Sequence, residues 1–225
     1  NGKTKKDQTY ESVLTNGDFY KIRIAQDGVY KIDASFIRAI GANPSTISMS
    51  NFRIYGNGGS MLPEPMKKER AEDLQENALK AIDNNNNNKM DGDDYFLWYA
   101  SGPNKLIYQA SSSSYAAEGH DFDIASYYYL NWDKGPGKRI ANKSSGQNTT
   151  VNNTITGYDH LIYHEENAEN HIKSGRKWWG DKMQINTTKK FDYNIAGVLP
   201  GKNILLNTVT MARSLNGFNS SMRIA

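Results

Sequence analysis

Residues Asp18 to Asp33 read DFYKIRIAQDGVYKID, two alternating apolar and polar runs that meet at Gln26-Asp27-Gly28. A period of two is the pattern of a strand with one buried face, and Asp-Gly between two such runs is a strong hairpin signal. The stretch predicts a β-hairpin. Asp33 then stands where a helix N-cap is needed, with Phe36, Ile37 and Ile40 on one face and Gly41 just past the end, which predicts a short helix.

Working outward, Phe52–Tyr55, Ala78–Ile82, Asp94–Ala100 and Ser126–Trp132 read as strands, separated by Gly, Pro, Asn and Ser clusters. The charged run 66–76, MKKERAEDLQE, is a solvated helical turn or loop, and Ser111–Ser114 is a loop. The Gly56, Gly58, Gly59 run lacks the Lys-Ser/Thr ending of a phosphate loop, so it reads as a backbone turn. The Asn, Ser and Thr rich stretch 142–154 reads as a long loop and a domain boundary. Beyond it, His160–Gly175 predicts a helix, and strands follow at Phe191–Ile195 and from Asn203 onward, with a turn at Leu199-Pro200-Gly201.

The expected fold is mainly β: an antiparallel sheet or sandwich domain with short helices over 1–155, then a connecting helix and the first strands of a second β-sandwich over 156–225. Because the pattern stops inside a strand, the natural protein is expected to continue.

Composition narrows the function classes. The 14 Tyr and 19 Gly suit many short strands and tight turns. With 27 basic and 24 acidic residues interspersed, the chain has no basic stripe for nucleic acid. Its apolar runs fall far short of the roughly 20 residues of a membrane helix, and its polar opening, NGKTKKDQ, is what either removal of a signal peptide or trimming of a longer chain would leave. The absence of Cys rules out disulfides, thiolate ligands and a cysteine nucleophile within these residues.

The segment DNNNNNKMDGDD, Asp83 to Asp94, carries the most chemistry. Counted from Asp83, oxygen-bearing side chains fall at positions one, three, five and nine as Asp83, Asn85, Asn87 and Asp91, with Asp94 at twelve and the Lys89 carbonyl at seven. This is the spacing of a calcium loop. Asn88 replaces the usual Gly at position six and Asp94 the usual Glu, and both flanks read as strands. The segment is therefore either a calcium site pinning a β-hairpin or a plain Asn-rich hairpin loop. His160 and His164 fall at helical i,i+4 spacing without the Glu of a metalloprotease helix, so surface histidines are the simpler reading. Trp132, Trp178, Trp179 and Tyr127–Tyr129 would line a sugar-binding face or, more simply, pack the core and a junction.

Taken in order, several stretches resemble one family. They are YKIRIAQDGVYKIDASFIRAIGANPS from Tyr20, FRIYGNGGSMLPEP from Phe52, RAEDLQENALKAID from Arg70, and the acidic loop with DYFLWYASGPNK from Asp94. SYYYLNWDKGPGKRI from Ser126 and ENHIKSGRKWWGD from Glu169 continue the series. Together they resemble the N-terminal region of the type IX secretion sortases of Bacteroidetes, gingipain-like cysteine peptidases with β domains ahead of the catalytic domain. The resemblance implies export to the outer membrane or cell surface. It also implies partners in the protein's own downstream catalytic domain, other secretion components and the C-terminal domains of cargo. It transfers no catalytic residue, since the family's thiol has no counterpart here. The alternative is a calcium-stabilised adhesion or carbohydrate-binding module of a surface protein.

Overall fold

The computed structural model describes residues 11–111, 114–144, 153–171, 173, 175, 177–184, 186–212 and 217. The chain divides into two compact units, Asn1–Lys182 and Met183–Ala225, whereas the sequence places its division at 155/156.

Among its described residues the first unit has nine strands: β1 (Tyr20–Ile24), β2 (Gly28–Asp33), β3 (Arg53–Tyr55), β4 (Glu76–Asn77), β5 (Lys80–Ile82), β6 (Tyr95–Ala100), β7 (Lys105–Gln109), β8 (Ser114–Glu118) and β9 (Ser126–Asn131). One sheet has the order β1-β9-β3-β4, a second β2-β6-β5, and β7-β8 form a separate ribbon; every pairing is antiparallel. The mainly β antiparallel fold is as the sequence indicates.

The two larger sheets share one core. Ile24, Ile54, Tyr128 and Leu130 come from the first, and Ile32, Phe96, Trp98 and Ala100 from the second. Phe52 stacks on Phe96 at 4.3 Å between centroids, and Trp98 meets Tyr128 edge-on at 4.8 Å. Two inner faces closing over one core make a β-sandwich.

The opening hairpin is the main correction. β1 and β2 do not pair: β1 runs beside β9 through five residue pairs and β2 beside β6 through six. Gly28 is absent from the positive-φ glycines, whereas the hairpin turn favoured by Asp-Gly needs positive φ at both central residues. Asp27 instead accepts the Gly102 N–H at 2.6 Å, fixing Ala25–Asp27 as a crossing from one sheet to the other. A lone hairpin buries one face at most; splitting its strands brings Ile24 and Ile32 into the core from opposite sheets.

The helix α1 (Ala34–Ala39) forms as expected, with the Asp33 carboxylate accepting the Phe36 N–H at 3.0 Å. The 66–76 run is not helical; only its end, Glu76, enters a strand. Lys105–Gln109 and Ser114–Glu118, a stretch of which the sequence reads only Ser111–Ser114 and as a loop, pair as the β7-β8 ribbon. Its residues 112–113, and 145–152 of the long loop, lie outside the described residues.

No helix forms among the described residues of 160–175. Leu161, Ile162 and Tyr163 all remain substantially exposed, and a short helix without a buried face lacks the packing that stabilises helices in proteins. In the second unit the turn forms, with Lys202 N–H bonded to Leu199 O at 3.3 Å. No strand is present among its described residues, since a strand needs a neighbour to satisfy its backbone groups.

Candidate metal centre

The loop Asp83–Asp94 joins β5 to β6, which pair through Lys80↔Leu97, Ala81↔Phe96 and Ile82↔Tyr95. The hairpin setting inferred from the flanking strands is therefore the observed one. Asn86, Asn88 and Gly92 take φ of 56°, 59° and 49°, left-handed backbone that Asn and Gly tolerate best. Asn88 thus does at position six what Gly usually does.

Hydrogen bonds organise the interior of the loop. Asp83 accepts from Asn88 N–H at 2.8 Å and Asn87 N–H at 3.3 Å. Asn85 Oδ1 accepts from Asn87 N–H at 3.1 Å, and Asn87 Oδ1 from Lys89 N–H at 2.7 Å. Asp94, 2% exposed, closes the loop by accepting from Asn84 N–H at 2.8 Å and Asp91 N–H at 3.3 Å. The Asn85 and Asn87 amides both donate to the Asp91 carboxylate at 2.8 Å, so these three side chains meet.

The donor set is all oxygen, as calcium requires, and includes one backbone carbonyl at Lys89. The Asp83, Asp91 and Asp94 carboxylates do not themselves form a cluster with ligand atoms within 4.8 Å of one another. The Asp91 carboxylate is held by the Asn85 and Asn87 amides. The loop is tied to the sandwich through Asn88: its carbonyl accepts Met49 N–H at 3.1 Å, and its side chain accepts Ser50 N–H at 2.8 Å. Arg139 holds the same segment, donating to Met49 O at 2.5 Å and Ser50 O at 2.7 Å.

A second grouping was not legible in the sequence. Among the described residues, His164, Glu166 and Asp181 bring ligand atoms within 4.8 Å of one another, and His164 Nε2 lies 2.6 Å from Asp181 Oδ2. Nothing in the spacing marks Asp181, and the expected partner His160 packs edge-on against Tyr158 at 6.0 Å instead. Neighbouring Glu165 has its carboxyl pKa raised, first by burial and then by the Asp121 charge.

The aromatic residues considered for a sugar face are mostly spent on packing. Trp132 stacks between Tyr20 and Phe52 at 4.7 and 5.9 Å, Tyr128 is buried, and Trp178 Nε1 is buried. No described helix is long and apolar enough to cross a membrane.

Fold and loop together define an antiparallel β-sandwich module with a candidate oxygen-ligand site in one hairpin. No protein-family model matches the chain, and no curated protein does. Among solved structures, the chain is similar to part of the crystal structure of dimeric latent PorU from Porphyromonas gingivalis, with a TM-score of 0.51 and 22% identity. The match covers 69% of this chain and 13% of that one. What is shared is the fold of a small part of PorU.

Proposed function

We propose that the chain is a non-catalytic accessory β module of a PorU-like type IX secretion sortase, positioning the catalytic domain or contacting secretion partners and cargo. The fold likeness to PorU carries this reading; the ordered sequence resemblance over nearly the whole chain agrees with it. On this reading the module is exported and works at the outer membrane or cell surface. Covalent peptidase chemistry of that family would come from another domain, because a thiol nucleophile is lacking here.

Two measurements test it. The purified chain should leave a cargo C-terminal domain uncut, and the complete gene should encode a downstream peptidase domain with paired His and Cys. Cleavage above the buffer background, or a gene without such a domain, would overturn the proposal.

The hairpin loop supports a structural role for calcium. Asp83, Asn85, Asn87, Asp91, Asp94 and the Lys89 carbonyl would hold the ion, with three carboxylates supplying the charge. Bound there, calcium would pin the β5-β6 hairpin and, through Asn88, the segment before β3. Titration calorimetry with calcium chloride tests this. Binding at millimolar or tighter affinity that Asp83→Ala removes supports the site, and no binding up to 10⁻² M, roughly ten times the weak extracellular limit, refutes it.

A further inference from the structure

Between the glycine loop after β3 and the end of β6 lies an open groove of about 380 Å³, within the range of small-ligand clefts. Its floor exists because side chains are missing. Gly56 lies against the Tyr128 ring so closely that a Cβ would sit 2.2 Å from Cδ1, and Gly58 takes φ +81°. The neck of the loop is closed by Gly56 N–H donating to Gln75 O at 2.9 Å, so the groove is formed before any ligand arrives.

The lining contains no Asp, Glu, Lys, Arg or His. A phosphate, carboxylate or metal ion would find no counter-charge, and burying an unpaired charge is costly. The free hydrogen-bonding atoms are neutral and include both donors and acceptors. Asn57 Nδ2 gives one N–H to Asp73 O at 3.0 Å and Gln75 Nε2 one to the same oxygen at 3.2 Å, each keeping a second N–H, while Asn77 Nδ2 spends both on Gly56 O at 2.8 Å and Gln75 O at 3.1 Å. Asn77 Oδ1 and Gln75 Oε1 are left as acceptors, and the Ser101 and Tyr99 hydroxyls complete the set.

Neutral acceptors, hydroxyls and amide N–H donors in one groove call for a ligand rich in O–H groups, which both donate and accept. Beside them stands an aromatic surface: Tyr99 is 57% exposed, and its cross-strand partner Val29 is 69% exposed. A wholly apolar ligand would desolvate the two carbonyl acceptors without replacing their water. Hydroxyl donors together with an apolar C–H face are the two sides of a sugar ring.

We propose that this groove binds a neutral saccharide, with one ring face against Tyr99 and hydroxyls donating to Asn77 Oδ1 and Gln75 Oε1. The site differs from the tryptophan and tyrosine cluster that the sequence suggests, and it goes beyond the accessory role proposed above.

Saturation-transfer NMR on the purified chain tests it, using maltotriose, cellotriose, mannotriose and chitotriose as probes. At least one should bind, with transfer strongest to ring C–H protons. Tyr99→Ala should weaken that binding roughly tenfold or more through loss of an aromatic contact. Tyr115→Ala, which removes a comparably exposed ring on the β7-β8 ribbon, should leave it unchanged. Should Tyr99→Ala fail to fold, Ser101→Ala reads the same site by removing a free hydroxyl, and a severalfold loss is expected. Failure of all four probes to bind, or binding that Tyr99→Ala leaves intact or Tyr115→Ala equally abolishes, overturns the proposal.

Discussion

Replacing Gly59 by Ala tests the packing that shapes the glycine loop. Gly59 is buried, and a Cβ there would lie 1.7 Å from Ser126 Oγ and 2.1 Å from Gly102 O. The serine can rotate away, but the carbonyl is backbone. Contacts under 3.0 Å essentially do not occur for real Cβ atoms, so the two segments must separate by about 0.9 Å. Gly102 has little freedom to yield, because its N–H is held by Asp27 at 2.6 Å and its own Cβ position would be 2.8 Å from Gln26 Cα. Overpacking costs about 1–3 kcal/mol, and losing a hydrogen bond to a carboxylate adds about 1.5–3 kcal/mol, so Gly59→Ala should cost about 3–5 kcal/mol. Gly41→Ala is the control: φ is +85° with open space around it, a backbone penalty of about 1–2 kcal/mol. Urea unfolding followed by tryptophan fluorescence reports on the sandwich, since Trp98 and Trp132 sit in or against its core. With m of about 2–3 kcal/mol/M, the midpoint should fall by about 1–2 M for Gly59→Ala and by about 0.5 M for Gly41→Ala. A smaller loss for Gly59→Ala than for Gly41→Ala would refute the close approach.

Calcium at about tenfold above its dissociation constant should add about 1.4 kcal/mol and raise the melting temperature by about 3–6 °C relative to chelator. Asp83→Ala should abolish that shift, while Asn84→Ala, whose side chain reaches only Asp93 O, should keep it; equal melting with calcium and chelator would remove the ion from the account. The Asp33 carboxyl is held down at about 2, first by the Ser35 hydroxyl and then by the Phe36 N–H. A pKa lowered in the folded state gives stability that is present above about pH 4 and lost as pH falls through about 2. Because the side chain is one-third exposed, screening trims the effect, and Asp33→Ala should cost about 1 kcal/mol at pH 7. That difference should shrink as pH falls toward 2 and vanish below it, and a pH-independent difference would assign the loss to packing instead.

Local chemistry was legible wherever the deciding contacts are close in sequence. Asp33 announces α1 because an N-cap acts within three residues, and YFLWYA announces β6 because aromatic residues of high strand propensity crowd into six positions. The calcium spacing announced a tight turn between two strands for the same reason. The failed readings depend on distant partners. Asp27-Gly28 looks like a hairpin turn until Gly102, 75 residues away, takes the aspartate. The β7-β8 ribbon is obscured by small and polar residues, and its Leu106, Tyr108 and Tyr115 remain about half exposed. His164 meets Asp181 at a separation of 17 residues, which matches no helix or strand period. The groove was hidden too, because its aromatic wall is Tyr99, one outward residue in a strand whose alternate positions Phe96, Trp98 and Ala100 mark it as core.

The Asp83–Asp94 loop and the groove lie at opposite ends of β6, the loop ending at Asp94 and the groove using Tyr99 and Ser101. A six-residue strand is about 20 Å long, and this one is fixed along its length by pairing to β2 and by Phe96 and Trp98 in the core. Nothing in that strand offers two arrangements, and coupling between sites needs an element whose equilibrium both can shift. The sites should therefore act independently. The stability loss of the Asp83→Ala, Tyr99→Ala double variant should equal the sum of the single losses to within about 0.5 kcal/mol, the tolerance expected for residues more than about 10 Å apart. By reciprocity, the affinity of any saccharide bound at Tyr99 should be the same in calcium and in chelator. An interaction energy above about 1 kcal/mol in the double-variant cycle would mean that the hairpin moves as a unit and that the loop controls the groove through β6.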